Sequence, residues 1–341
     1  RGAKVRDAMK WAGYIDAALA QTADAQVYFG SHHWPVWGKA RIAEFLTVQR
    51  DVYAYTHDQT VRMINAGLSM REIAEQIRLP RALDAFLDAH GYYGTLRHNA
   101  KAVYQFYMGW FDANPANLDP LPPKPAAEHY VALAGGADKA VAAAQAAFDK
   151  GELRWAAELL NQVVLAEPGK DAARQLLART YEQLGYAAES APWRNFYLTG
   201  AYELHNGPPK SGVQTAMALD MLAHTPLERF LEAMAAALNG PRAEGVNLKI
   251  NLVLSDTGET HVLQIDNSVL HHHKAAAAAT DANATLTLTK AIFLKMMTGT
   301  AGVKDMLLSD ELKVTGSRID LLRFFALFDK AAGNFAIVSR E

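Results

Sequence analysis

Apolar residues recur at helical spacing through the first two dozen positions. Val5, Met9, Trp11, Ile15, Ala18 and Leu19 predict a helix over residues 1 to 24. AQVYFG then reads as a short strand ending at Gly30, with Pro35 and Gly38 punctuating the loop behind it. A second helix starts near Lys39 and continues through Tyr53 and Val61 to Ala66. Helix, strand, loop and helix make the tail of a layered α/β domain, because one strand forms no sheet alone.

From Ser69 to about Leu204 the pattern is helical. In SMREIAEQIRLP, Ser69 and Glu72 form a capping box and Pro80 closes the helix. Residues 112 to 125, DANPANLDPLPPKP, are a proline-dense loop. Four helices follow, over 137–150, 155–166, 171–184 and 187–202. AAFDKGELRWAAE and RTYEQLGYAAESA superpose with Gly151 and Gly185 separated by 34 positions, the tetratricopeptide period. Small residues there allow close helix packing, and glycine ends a helix. One and a half repeats are too few for a solenoid, so the expectation is a helical bundle of tetratricopeptide-like hairpins.

HNGPPKSG (205–212) is a linker, and after it the period changes. Two helices are expected in 213–239. Val246, Leu248, Ile250, Leu252 and Leu254 then alternate, the DTG at 256–258 turns a hairpin, and Leu263 and Ile265 continue the inner face. ATLTLTK supplies a third strand and LKVTGS a last short one, between helices near 290–298 and 317–329. This is a compact α+β domain. The whole chain is therefore multidomain, α and α+β, divided at 1–66, 67–206 and 207–341. Met217, Met221, Leu222, Leu231, Met234, Met296, Met297, Met306, Phe324, Phe325 and Phe328 line the last domain. They are either plain core or a flexible lining that accepts alkyl chains of varied length.

Composition narrows the classes. Half of the 341 residues are hydrophobic, 21% are charged and the formal charge is −2, with no basic stripe to bind nucleic acid. No cysteine is present, which removes disulfides, thiolate zinc sites and a cysteine nucleophile. No apolar run suffices for stable membrane insertion. A start at Arg1 suggests a fragment or processed product. Location stays open, with a periplasmic or secreted protein favoured over a cytoplasmic one.

The chemistry-bearing candidates each carry two readings. In SHHWPVWG, neighbouring side chains point to opposite sides, so only one of His32 and His33 reaches a given metal; otherwise both are polar residues in an aromatic loop. Arg1 and Arg6, five apart near a helix start, read as solvated or paired with an acid such as Asp7. GYYGTLRHNAKAVYQFYMGW, with Tyr92, Tyr93, His98, Asn99, Tyr104, Gln105 and Tyr107, is a helix–helix seam or the wall of a cleft. His57-Asp58 reads as a helix-surface pair rather than a dyad. His271 to His273 cannot all face one metal from an extended chain and read as a polar strand end.

RGAKVRDAMKWAGYIDAAL, SHHWPVWG, QRDVYAYTHDQTVRMINAG, IAEQIRLP, GYYGTLRHNAKAVYQFYMGWFDANPANLDPLPP and AAELLNQVVLAEP with ARTYEQLGYAAESAPWRNFYLTGA resemble the linear alkyl sulfatases. These are dinuclear zinc hydrolases of the metallo-β-lactamase superfamily, and the resemblance covers essentially the whole chain. It implies that residues 1–66 are the carboxy-terminal part of a metallo-β-lactamase-like catalytic domain. Residues 67–206 would be a helical dimerisation domain and 207–341 a sterol-carrier-like alkyl-binding domain. The family's His-x-His-x-Asp-His motif is absent; Arg1-Gly2-Ala3 matches the end of a Thr-Leu-Arg-Gly-Ala segment.

By the same resemblance, His33 is the last zinc ligand with His32 beside it, Arg1 and Arg6 face the sulfate, and Tyr104 or Tyr107 donates to it. Two zinc ions per complete site, an alkyl sulfate substrate, a homodimer and an amino-terminal catalytic region as partner are implied too. The expectation is an enzyme that as a complete protein hydrolyses long-chain alkyl sulfates, with the chain alone inactive. The alternatives are a non-catalytic dimerisation and lipid-binding module, or a plain tetratricopeptide scaffold.

Overall fold

The structure, a computed structural model, describes residues 4–212, 219–300, 312–330 and 333–338. It divides into two units, Arg1–Pro208 with Ala336–Glu341, and Pro209–Phe335. Among the described residues no helix is long and apolar enough to cross a membrane.

In the first unit, α1 (Ala8–Gln21) begins where the Asp7 carboxylate accepts the Lys10 N–H at 3.0 Å. Residues 4–7 and 22–24 of the predicted helix therefore lie outside it. The chain then forms β1 (Val27–Tyr28) and β2 (Val36–Trp37), paired antiparallel. The lone strand with a trailing loop is thus corrected to a small hairpin. Val36 closes it by packing with Ile42, Phe45 and Leu46, which a two-residue strand hardly signals in sequence. Gly38, at φ 85°, leads into α2 (Lys39–Asn65), 27 residues and roughly 40 Å long.

The capping box forms as expected at α3 (Met70–Gln76), with Ser69 and Glu72 exchanging hydrogen bonds. A short α4 (Arg81–Asp84) precedes α5 (Leu96–Met108), which Thr95 caps. Beyond the proline-dense loop come α6 (Pro123–Leu133), α7 (Ala137–Asp149), α8 (Leu153–Ala166), α9 (Asp171–Tyr186) and α10 (Ala191–Asn206). Their apolar stripes share one core containing Ala144, Leu160, Val163, Leu177 and Leu204.

The two glycines of the repeat part company. Gly151 ends α7 at φ 78°, whereas Gly185 lies inside α9 and seats Leu198 of α10 against its bare Cα. It therefore serves packing rather than termination. Ile337 and Val338 belong to this unit too, their N–H groups donating to the buried Glu203 carboxylate.

The second unit contains α11 (Leu219–Ala223), α12 (Leu227–Ala237), β3 (Leu248–Leu254), β4 (Thr260–Asp266), β5 (Val269–Ala275), β6 (Ala284–Leu288), α13 (Lys290–Met297), β7 (Lys313–Gly316) and α14 (Arg318–Ala326). Among the described residues the sheet order is β5-β4-β3-β6-β7, with only the β3–β6 pairing parallel. Leu248, Ile250, Leu252, Leu254, Leu263 and Ile265 are all buried, as the alternation predicts.

β5 is a strand the sequence reading did not separate. Asn267 and Ser268, at φ 50° and 61°, make the tight turn that returns it along β4. His271 to His273 therefore lie inside an edge strand rather than at a strand end. They alternate across it, His272 being the partly covered member.

Of the apolar lining, Leu231, Met234 and Phe324 are buried in one cluster, with Leu222, Met296, Met297, Phe325 and Phe328 packed against it. Met221 departs from it, being 71% exposed. Met217 and Met306 lie outside the described residues.

Candidate functional site

His33 sits in the β1–β2 hairpin just after His32, whose φ of 69° turns the chain. The two rings diverge across this turn. His32 stacks on Tyr93, centroids 3.6 Å apart and 10° from coplanar. His33 turns inward, 7% exposed, and lies against Phe45 of α2 and Trp34.

The His33 Nδ1 is 2.7 Å from the Tyr92 hydroxyl. Its Nε2 is buried with no hydrogen-bond partner among the described residues; Asp88 Oδ1 lies 3.9 Å away, beyond hydrogen-bond reach. Asp88, 4% exposed, is held by Arg41 Nη2 at 2.8 Å, and its backbone carbonyl accepts from Gln49 Nε2 at 2.6 Å. Burial lowers the His33 pKa; Asp88 opposes that and Arg41 reinforces it, and the net lowering favours the neutral ring. Tyr92 is itself fixed from α10, where the Ala191 N–H and Ser190 Oγ donate to the carbonyls of Tyr92 and Tyr93.

α2 is the spine of the site. Arg41, Phe45, Gln49, Tyr53 and His57 stand four apart and so share one gently drifting stripe. Arg41, Phe45 and Gln49 hold His33 and Asp88. Further along, Tyr53 packs on Trp11. Burial raises the Tyr53 pKa, Tyr28 adds to the rise, and the Arg6 guanidinium opposes it, which puts Arg6 on this flank.

Arg6 is exposed and forms no ion pair among the described residues, while Asp7 is occupied as the α1 cap. Arg1 lies outside the described residues.

His57 closes the stripe. Its Nδ1 is 2.8 Å from Asp58 Oδ1 and its Nε2 is 2.7 Å from the Tyr107 hydroxyl. Nδ1–H donates to the Asp58 carboxylate, which leaves Nε2 to accept from Tyr107. The simple surface pair thus extends into a three-residue chain.

The two candidate tyrosines separate here. Tyr107 is 52% exposed, whereas Tyr104 is buried with Met63, Ile73, Ile77 and Ala100. Tyr104 answers to packing.

Arg41, Asp88 and Tyr92 as partners of His33 were not found from sequence. Tyr92 stood out only as part of an aromatic run, and a single aspartate has no local signature. The four-residue spacing along α2 was the one available signal. Among the described residues no group of three or more His, Asp or Glu side chains is placed to hold a metal.

The comparisons with known proteins agree with one another. The alkyl sulfatase dimerisation family matches residues 69–207 and the alkyl sulfatase C-terminal family residues 215–340. A linear primary-alkylsulfatase of Pseudomonas sp. is 41% identical over 99% of this chain and 50% of its own length. An alkyl/aryl-sulfatase of Saccharomyces cerevisiae is 42% identical over 99% of this chain and 52% of its own.

The solved stereoselective inverting sec-alkylsulfatase Pisa1 of Pseudomonas sp. superposes with a TM-score of 0.92 at 38% identity, over 100% of this chain and 54% of that one. The chain spans about half the length of these relatives. With a helical unit and a mixed helix-and-sheet unit over the matched segments, the chain belongs to the alkyl sulfatase family and carries its dimerisation and C-terminal domains.

Proposed function

We propose that this chain is the carboxy-terminal part of a zinc-dependent alkyl sulfatase. The complete protein adds water to a long-chain alkyl sulfate ester and releases the alcohol and sulfate. Residues 1–66 close a metallo-β-lactamase-like catalytic domain, 67–206 form a tetratricopeptide-like helical domain that dimerises two copies, and 207–335 form a sterol-carrier-like domain for the alkyl tail, the last residues returning to the helical unit. The tail-binding role draws on the Met and Phe side chains packed around Leu231 and Phe324.

The observation that carries the reading is the buried, partnerless Nε2 of His33. A neutral imidazole nitrogen is a preferred zinc donor, and a buried one with no acceptor or donor opposite it is costly unless a ligand fills the gap. Tyr92 at Nδ1 fixes the ring orientation, as outer partners of ligating histidines do. One imidazole cannot hold a catalytic zinc, so the remaining donors come from an amino-terminal region. When bound, two zinc ions lower the pKa of a bound water and neutralise developing negative charge.

Arg6, whose guanidinium has no carboxylate competing for it among the described residues, supplies a permanent charge for the sulfate, with Arg1 beside it in the family pattern. The exposed Tyr107 is the better placed of the two tyrosines to meet substrate.

The test measures zinc content and alkyl sulfate hydrolysis for the complete protein and its His33→Ala variant. Loss of zinc together with activity supports the reading. Two zinc ions and full turnover in the variant would overturn it. The second reading, a non-catalytic dimerisation and lipid-binding module, is favoured by the absence of a three-donor group among the described residues. It requires that no complete protein carrying these residues hydrolyses sulfate esters.

A further inference from the structure

A group of cations outside that site shares too little negative charge. The Glu75 carboxylate of α3 takes Arg97 of α5 at Oε2 and Arg154 of α8, whose Nη1 is 3.1 Å from both oxygens. Lys101 stands one turn after Arg97 on the same stripe of α5 and is half-buried. Its ammonium has no hydrogen bond or ion pair among the described residues. Burial pushes the Lys101 pKa down, as do Arg97, Arg154 and Arg71, and Glu75 alone opposes them.

The other nearby groups do not restore the balance. Asp112 acts on Arg71, and its oxygens accept from the Asn114 N–H and the Asn117 amide. Arg78 adds its positive field at Glu75 while donating to the Glu75 and Ile77 carbonyls. Glu152 and Glu158 line an open groove of about 500 Å³ with Arg154, and neither pairs with it.

Geometry supplies the second observation. Arg97 and Arg154 reach one carboxylate from two different helices, and the unpaired Lys101 ammonium stands one turn along α5 from Arg97, so three cations share the charge of Glu75. An added anion at the exposed edge of this group would offset the surplus. Guanidinium edges and an ammonium together match the spread oxygens of a tetrahedral oxyanion.

The geometry points to an anion site between α3, α5 and α8 that binds a tetrahedral oxyanion, sulfate or phosphate, free or as the head of an ester. Lys101 is its unshared donor, and the Arg97 and Arg154 guanidiniums are shared between the ligand and Glu75. The site is separate from Tyr107, which turns toward α2 where His57 takes its hydroxyl. It also stands independently of the zinc reading.

Calorimetric titration of this chain at constant ionic strength tests it, with sodium sulfate, sodium phosphate and octyl sulfate as probes in a chloride background. One saturable site per chain is expected for at least one probe. Comparison of sulfate with octyl sulfate tells free from esterified ligand. Lys101→Met weakens binding by roughly tenfold or more, the loss of one charge-assisted contact. Glu75→Gln strengthens it, because the competing carboxylate is gone. Circular dichroism checks that both variants fold. No saturable heat with any probe, or binding unchanged in both variants, overturns the proposal.

Discussion

The Glu203 carboxylate accepts the Val338 N–H at 2.8 Å and the Ile337 N–H at 2.7 Å, inside the helical unit. Val338 is part of that unit's core and lies against the bare Cα of Gly200. The last described residues therefore help to build a unit that starts more than three hundred positions earlier in the chain. Glu203→Ala leaves two N–H groups without an acceptor and should cost roughly 2 to 4 kcal/mol in urea denaturation. Deleting residues 336–341 should destabilise the same transition. If neither change moves its midpoint, the segment contributes nothing to the helical unit.

Gly185→Ala sets two effects against each other. Alanine gains up to about 1 kcal/mol of helix propensity over glycine. An added Cβ, however, meets Leu198 Cγ and Cδ2 at 3.0 Å and Tyr197 Cβ at 3.3 Å. Overpacking of this kind costs roughly 1 to 3 kcal/mol. A net loss of about 1 kcal/mol is expected by chemical denaturation, and a gain would show that α10 yields freely.

These cases show where sequence patterns carried the fold and where they stopped. The Ser69–Glu72 box and the β3–β4 alternation were legible because each is set by residues within a few positions of one another. β2 was not, because a two-residue strand has no period; its place is fixed by Val36 meeting Phe45 on another element. β5 was obscured by three histidines that depress the apolar signal. At the site, His33 stood out by residue type, and its companions Asp88 and Tyr92 are 55 and 59 positions away. Their selection depends on how α2 and α10 present them, which no local motif encodes.

His261 of β4 makes the second unit sensitive to acid. It is 0% exposed, pairs across the sheet with Leu252, and neither ring nitrogen has a partner among the described residues. Burial lowers its pKa first; Glu228 and Glu259 oppose that, while Lys274 and His272 add to it. A lowered folded pKa means that the unfolded chain takes the proton first. Stability contributed by the neutral ring is therefore lost as pH falls below the unfolded value of about 6.5, by at most about 1.4 kcal/mol per pH unit. The loss levels off once pH passes the folded pKa. His261→Leu should remove this slope from the unit's unfolding between neutral pH and pH 5, and should stabilise it at pH 7. An unchanged slope would assign the acid response elsewhere.

Tyr92→Phe isolates the outer partner of His33. In this chain alone it removes one hydrogen bond at 2.7 Å and should cost about 1 kcal/mol. In the complete protein it should weaken zinc binding by roughly tenfold or more, because the imidazole loses its orienting contact. Competition with a zinc chelator measures that change. Unaltered zinc affinity would mean that Phe45 and Trp34 fix the ring without help.

Tyr107→Phe and Tyr104→Phe should behave differently in the complete protein. Tyr104 is enclosed by Met63, Ile73 and Ala100, so loss of its hydroxyl should leave KM for alkyl sulfates unchanged. Tyr107 is exposed, but its one proton points at His57 Nε2 while Asp58 holds Nδ1–H. Toward a sulfate oxygen it then offers lone pairs, which repel. Removing that acceptor in a His57→Phe background leaves the hydroxyl proton free for the substrate. Tyr107→Phe should then raise KM by roughly tenfold or more in that background, the effect of a hydrogen bond to a charged group, and change it little while His57 is intact. Equal KM ratios in the two backgrounds would break the link between the chain of three residues and sulfate recognition.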